Sequence, residues 1–163
     1  ELPFMNERHL RLNVIGDTAR LPDDVRQTLA DTVAATAGNE GMVLTLALSY
    51  GSRSEMLAAV RLLASQVAKG EITVDSIDEG LFSSALYTAD LPDPDLVILT
   101  SGEMRISNFL LWQLAYAELY FTDVLWPDFS AETLDEALAE FARRQRRFGL
   151  IAEQLPGSEE KSH

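Results

Sequence analysis

Thr100-Ser101-Gly102-Glu103-Met104-Arg105-Ile106-Ser107-Asn108 sets a carboxylate, a guanidinium and a hydroxyl in one short stretch, directly after the apolar run Leu96-Val97-Ile98-Leu99. Arginine makes planar, two-point contacts to phosphate or carboxylate. A hydroxyl where a helix begins sits among unpaired N–H groups, and these together with the helix dipole favour an anion. Arg105 with Ser107 therefore reads as a phosphate clamp, with Glu103 beside it. The same residues read equally well as a helix N-cap at Ser107 and a surface arginine at 105, and spacing alone does not separate the two. Glu118 lies in an apolar stretch, where a carboxylate is expected to pair with a nearby arginine, as buried charges do. Arg143-Arg144-Gln145-Arg146-Arg147 is a cationic run that a helix C-terminus would favour.

These residues need elements to hold them. Leu10, Leu12, Val14 and Ile15 form a strand pattern stopped by Gly16-Asp17. The chain enters it almost directly, without a preceding element. Pro22-Asp23-Asp24 opens a helix carrying Val25, Leu29, Val33 and Ala37, ended by Gly38-Asn39. Met42 to Leu48 is a near-continuous apolar run, as in a strand covered on both faces. Tyr50-Gly51-Ser52 turns into a second helix with Met56, Leu57, Val60, Leu63, Ala64 and Val67 along one side. A short acidic helix is expected around Asp75 to Leu86. Pro92-Asp93-Pro94 is a stiff linker to the third strand, Leu96 to Leu99. Asn108 to Leu114 reads as a helix, and Val124-Leu125-Trp126 as a short strand stopped by Pro127. Ser130-Ala131-Glu132-Thr133 caps a last helix with Phe141 on its apolar side. Strands alternating with helices predict an α/β fold with a mostly parallel sheet flanked by helices. Four strands make a small sheet, so further strands are expected from elsewhere. Residues 1–150 read as part of one domain and 151–163 as a flexible polar tail. No repeat or low-complexity segment is visible.

Composition narrows the chemistry. The chain has 163 residues, 47% of them hydrophobic, which is enough for a core. Cysteine is absent and only His9 and His163 are present, so thiolate chemistry, disulfides and Cys-based zinc sites are excluded and little remains for histidine catalysis. A net charge of −13 argues against nucleic acid as a partner. Of the 13 basic residues all but Lys69 and Lys161 are arginines, so the position of each arginine matters more than the total. No apolar run is long enough to span a membrane. Glu1-Leu2-Pro3-Phe4-Met5 has neither the basic nor the apolar part of a signal peptide, and it does not read as a natural start.

The block Ser101-Gly102-Glu103-Met104-Arg105-Ile106-Ser107-Asn108-Phe109-Leu110-Leu111-Trp112-Gln113-Leu114-Ala115-Tyr116-Ala117-Glu118-Leu119-Tyr120-Phe121 runs on into Thr122-Asp123-Val124-Leu125-Trp126-Pro127-Asp128-Phe129. It closely resembles the signature of the cis-prenyltransferases, of the bacterial undecaprenyl diphosphate synthase type. Leu12 to Thr18, Ala47 to Arg53 and Arg146-Arg147-Phe148-Gly149 agree with it in order, so the resemblance runs from about Leu10 to Gly149. It implies a cytoplasmic, magnesium-dependent enzyme that condenses isopentenyl diphosphate onto farnesyl diphosphate to make a cell-wall lipid carrier. It also implies a homodimer that meets membrane only through its lipid product. Arg105 and Ser107, with Ile106 between them, would hold the diphosphate of isopentenyl diphosphate. Glu103 would be the catalytic-site carboxylate that supports this arginine-rich pocket. Glu118 would help to bind magnesium, and Arg147 with Gly149 would reach the partner subunit's site.

Two departures qualify the resemblance. The family's N-terminal aspartate motif, which works with magnesium and the allylic diphosphate, has no match here. The chain thus reads as a C-terminal portion, inactive by itself, or as a non-catalytic interaction subunit of the same fold. Leu99 stands where the family usually has an arginine on the isopentenyl diphosphate. Geometry adds a condition. Ser107 and Glu118 are 11 residues apart, about 16 Å along one helix, so serving one site requires a break near Leu114 to Ala117.

Overall fold

The computed structural model describes residues 1–144, which fall into two compact units. The first comprises Glu1–Pro92 and Ser107–Leu111; the second comprises Asp93–Ile106 and the described residues from Trp112 onward.

In the first unit the chain opens on a helix, α1 (Leu2–Glu7), with Pro3 in its first turn, and not directly on a strand as expected. Strand β1 (Arg11–Ile15) pairs in parallel with β2 (Val43–Ala47), placing Leu12 opposite Leu44 and Val14 opposite Leu46. The crossover is α2 (Asp23–Thr36), whose first turn carries Asp23 and Asp24 against the positive end of the dipole. Its last residue, Thr36, is fully buried and locks it to the sheet. The Thr36 hydroxyl donates to the Thr32 carbonyl at 2.9 Å and accepts the Leu12 N–H at 3.0 Å. Gly16, at φ 108°, ends β1 where a Cβ would stand 2.1 Å from the Leu48 carbonyl oxygen, so only glycine fits.

Helix α3 (Ser52–Ala68) buries Ser52, Glu55, Ala59 and Leu63. Of the six residues expected on its inner side, Leu63 is buried, while Leu57 and Val60 are 54% and 51% exposed. The buried stripe is rotated because it follows small and hydrogen-bonded side chains rather than the largest apolar ones. The expected acidic helix is split. A 3-10 turn at Val74–Ser76 is closed by a Thr73–Ser76 capping box, and α4 (Glu79–Ser83) starts anew where Asp78 accepts the Leu81 N–H at 2.7 Å.

In the second unit β3 (Leu96–Leu99) pairs in parallel with β4 (Glu118–Phe121), with Leu96 opposite Glu118 and Leu99 opposite Phe121. Both described pairs are parallel, as the α/β reading expects: β1 with β2 in the first unit and β3 with β4 in the second. The fourth strand lies before the expected Val124-Leu125-Trp126, and Trp126–Asp128 is a 3-10 turn containing Pro127. No helix forms over Asn108 to Leu114. Ser107, Asn108 and Leu110 have φ of 51°, 64° and 45°, which a right-handed helix excludes. Helix α5 (Ala131–Arg143) follows, with the expected cap: Ser130 Oγ accepts the Thr133 N–H at 3.3 Å. Ala137 on its inner face is fully buried.

Candidate functional site

The turn after β3 is shaped by Ser101 and Gly102, both left-handed at φ 63° and 64°. It extends the β3–β4 ladder. Ser101 N–H donates to the Val124 carbonyl at 2.8 Å and Gly102 N–H to the Thr122 carbonyl at 3.0 Å. Beyond it the chain folds around the Glu103 carboxylate. Oε1 accepts the N–H groups of Met104 and Arg105, both at 3.0 Å, and Arg105 Nε at 2.8 Å; Oε2 accepts Arg105 Nη2 at 2.9 Å. This two-point grip fixes the plane of the guanidinium. The Arg105 hydrogen bonds hold the Glu103 carboxyl down to about 2, and the carboxylate in turn raises the arginine further above its ordinary value. The Arg105 side chain is nevertheless 81% exposed. An oriented, open guanidinium is what recognition of a phosphate-type anion requires. Ile106 is half-buried.

Ser107 is exposed and belongs to the other unit, as does the rest of Ser107–Leu111. No helix follows it, so it is not the N-cap of a helix in its own segment. The segment docks instead on the first turn of α3. Asn108 accepts the Ser52 N–H through its carbonyl at 2.8 Å and the Arg53 N–H through Oδ1 at 2.9 Å. Ser52 Oγ accepts the Leu111 N–H at 2.9 Å. Beneath this lies Glu55, 1% exposed, which accepts the Tyr50 hydroxyl and the Tyr87 N–H. Burial, and then the hydrogen bond to Glu55, push the Tyr50 phenol well above its ordinary range, so it remains a donor. The Tyr50 ring meets Phe109 edge-on at 5.7 Å.

Glu118 opens β4 in the second unit and is paired with a cation. Arg144 Nη1 lies 3.2 Å from Glu118 Oε2 and 2.7 Å from the Leu119 carbonyl, and Nη2 binds Glu140. The Arg144 guanidinium is raised by Glu140 first and Glu118 second. Glu118 is thus the arginine-paired carboxylate that its apolar setting calls for. The chain does break before it: Ala117 N–H closes a turn on the Leu114 carbonyl at 3.1 Å. Among the described residues no three acidic, histidine or cysteine side chains come together to hold a metal ion. These residues alone do not fit magnesium. Arg147 and Gly149 lie outside the described residues.

The residues that sequence reasoning missed are Asn108, Ser52 and Arg144. A signal for the first two existed: α3 begins after Gly51, which has no side chain with which to cap it.

Residues 1–149 match the family model described as putative undecaprenyl diphosphate synthase. The chain is 52% identical over 153 residues to an isoprenyl transferase of Chlorobaculum tepidum, covering 94% of this chain and 58% of that protein. It is 48% identical to a (2E,6E)-farnesyl-diphosphate-specific ditrans,polycis-undecaprenyl-diphosphate synthase of Vibrio cholerae, covering 95% and 62%. The chain therefore spans about three fifths of the length of these curated relatives. Its fold matches lavandulyl diphosphate synthase from Lavandula x intermedia, solved with dimethylallyl diphosphate, at a TM-score of 0.88 and 38% identity, over 91% of this chain and 64% of that one. A probable undecaprenyl diphosphate synthase from Campylobacter jejuni matches at 0.76 and 34%, over 91% and 67%.

Proposed function

This chain belongs to the undecaprenyl diphosphate synthase family, and from that membership we propose that it carries the isopentenyl diphosphate side of a cis-prenyl transfer. In that reaction the double bond of isopentenyl diphosphate attacks the first carbon of an allylic diphosphate, farnesyl diphosphate. The C–O bond to the allylic diphosphate breaks, that diphosphate leaves, and a proton is lost from the isopentenyl unit. Repetition gives undecaprenyl diphosphate for cell-wall synthesis in the cytoplasm. The protein's task is to place two anions and offset their charge. Arg105 and Ser107, with Ile106 between them, hold the isopentenyl diphosphate, and Glu103 keeps the Arg105 guanidinium in its plane. The resemblance assigns Arg147 and Gly149 to the site of a second copy in a homodimer. The resemblance assigns Glu118 to magnesium, but here it is paired with Arg144 and the described residues do not assemble a metal site, so no step passes through one. Contact with lipid, on this reading, comes through the product.

The observation that carries this reading is the open Arg105 guanidinium, held at two points by Glu103 within the family's most specific block. Calorimetric titration with isopentenyl diphosphate tests it. Arg105→Ala removes a charge-assisted contact of about 1.5–3 kcal/mol, a loss of about ten- to a hundredfold in affinity. Equal affinity in the two forms would overturn the assignment.

A second reading is favoured by Leu99, which offers no cation where the resemblance places an arginine: a non-catalytic interaction subunit of the same fold. On either reading these 163 residues alone make no prenyl product. Long-chain product from farnesyl and labelled isopentenyl diphosphate with magnesium would show the aspartate motif to be dispensable.

A further inference from the structure

Helix α3 has no cap of its own. Gly51 precedes it in an extended conformation, with no side chain to accept the first N–H groups. Asn108, far along the chain, takes that place through two acceptors on one residue, its carbonyl for Ser52 and its Oδ1 for Arg53. The fully buried Ser52 returns a hydroxyl to the Leu111 N–H. The missing side chain at 51 is part of the device. A Cβ there would stand 2.9 Å from Asn108 Nδ2, too close for the amide to stay. Meanwhile Ser107 and Asn108 are consecutive left-handed residues, a conformation that non-glycine residues hold only when neighbouring contacts enforce it. Asparagine tolerates it best among them.

We propose that Asn108 is a positioning residue for Ser107. Clamped on the first turn of α3, it holds the left-handed Ser107–Asn108 backbone and so fixes where the Ser107 hydroxyl is presented to a diphosphate. Asn108 itself touches no substrate; both its acceptors are occupied by α3. The inference rests on the reading of Ser107 as a diphosphate ligand. It adds a residue to which that reading assigns no role, and it gives Gly51 and Ser52 a reason to stand where they do.

The test uses the 163-residue chain, isopentenyl diphosphate as the titrant and amide hydrogen exchange as a second readout. Asn108→Ala removes Oδ1 and leaves the main-chain carbonyl, so it should speed exchange at Arg53 and weaken binding about fivefold. Asn108→Asp keeps an acceptor at a helix N-terminus and should restore the protection at Arg53. The deciding arm is the pair of substitutions. In a Ser107→Ala background, Asn108→Ala should cost no further affinity, because its effect passes through a hydroxyl no longer present. The same fivefold loss in both backgrounds would assign Asn108 a merely structural role and overturn the proposal, as would undiminished binding by Asn108→Ala alone. If Asn108→Ala does not fold, Gly51→Ala takes its place. It displaces the amide by steric contact at a position whose extended backbone any residue accepts, and the same losses are expected. Wild-type chain that fails to bind, or Ser107→Ala that binds as well as wild type, would instead bring down the diphosphate reading itself. Loss on Ser107→Ala with none on Asn108→Ala would bring down the positioning role only.

Discussion

Glu103 gathers both main-chain and guanidinium N–H groups onto one carboxylate, and that gives it a measurable signature. Its carboxyl sits at about 2 in the folded chain, against about 4.3 when unperturbed. A depressed carboxyl contributes stability that is complete above the unfolded value and is lost as pH falls through the folded one. The Glu103–Arg105 grip should therefore stay closed at neutral pH and open only between about pH 4 and pH 2. A side-chain NMR titration should place the Glu103 midpoint near 2, and Arg105→Ala should return it to the ordinary range. A midpoint near 4 in the wild type would mean that the grip does not form in solution. Leu99 is the other informative residue. It ends β3 with its carbonyl accepting the Thr122 N–H at 3.0 Å, a main-chain role that any side chain can serve. Leu99→Arg should leave the strand intact and tighten isopentenyl diphosphate about tenfold or more, the value of one charge-assisted contact. Unchanged affinity would place position 99 outside the diphosphate site.

Helix α5 shows how one side chain ties an element down. Arg144 follows its last turn and reaches the Leu119 carbonyl, Glu118 and Glu140, joining the helix end to β4. The guanidinium is only 30% exposed, so these contacts are better shielded than a surface pair. Arg144→Ala should destabilise the chain by about 1.5–3 kcal/mol, and Ser130→Ala, which removes the cap at the other end, by about 1 kcal/mol. Denaturant unfolding measures both. If Arg144→Ala costs less than the cap, the Glu118 pairing is no anchor. Such helices were legible in the sequence. Asp23-Asp24 after Pro22, and Ser130 before Ala131, are local signals whose physics is complete within a few residues. Asn108 to Leu114 departs from its local signal for the opposite reason. Its leucines have good helix propensity, but the backbone there is set by α3, remote in sequence.

The apolar residues left open on the second unit bear on assembly. Leu125 and Trp126 are 56% and 70% exposed, and Leu134 and Leu138 on α5 are 40% and 46% exposed. Burial of large apolar side chains contributes about 1.5–3 kcal/mol each, so these residues would support the proposed association of two copies. Sedimentation at micromolar concentration should show a dimer, and Trp126→Ser with Leu138→Ser should shift it towards monomer. A well-folded wild-type monomer would contradict the homodimer. Over these 163 residues the net charge is −13, which leaves the proposed anion binding to the local arginines.

The sequence alone carried the α/β alternation, the three long helices, three of the four strands and the block from Ser101 to Phe121 with its resemblance. Each rests on periodicity, caps or contiguous residue types, which are properties of neighbours along the chain. It did not carry which arginine meets Glu118, the shifted buried stripe of α3, or the clamp of Asn108 on Ser52 and Arg53. Those depend on which distant donors and acceptors meet. A polar group near the core must find a partner wherever the fold supplies one, and its identity is decided only once the chain has closed on itself.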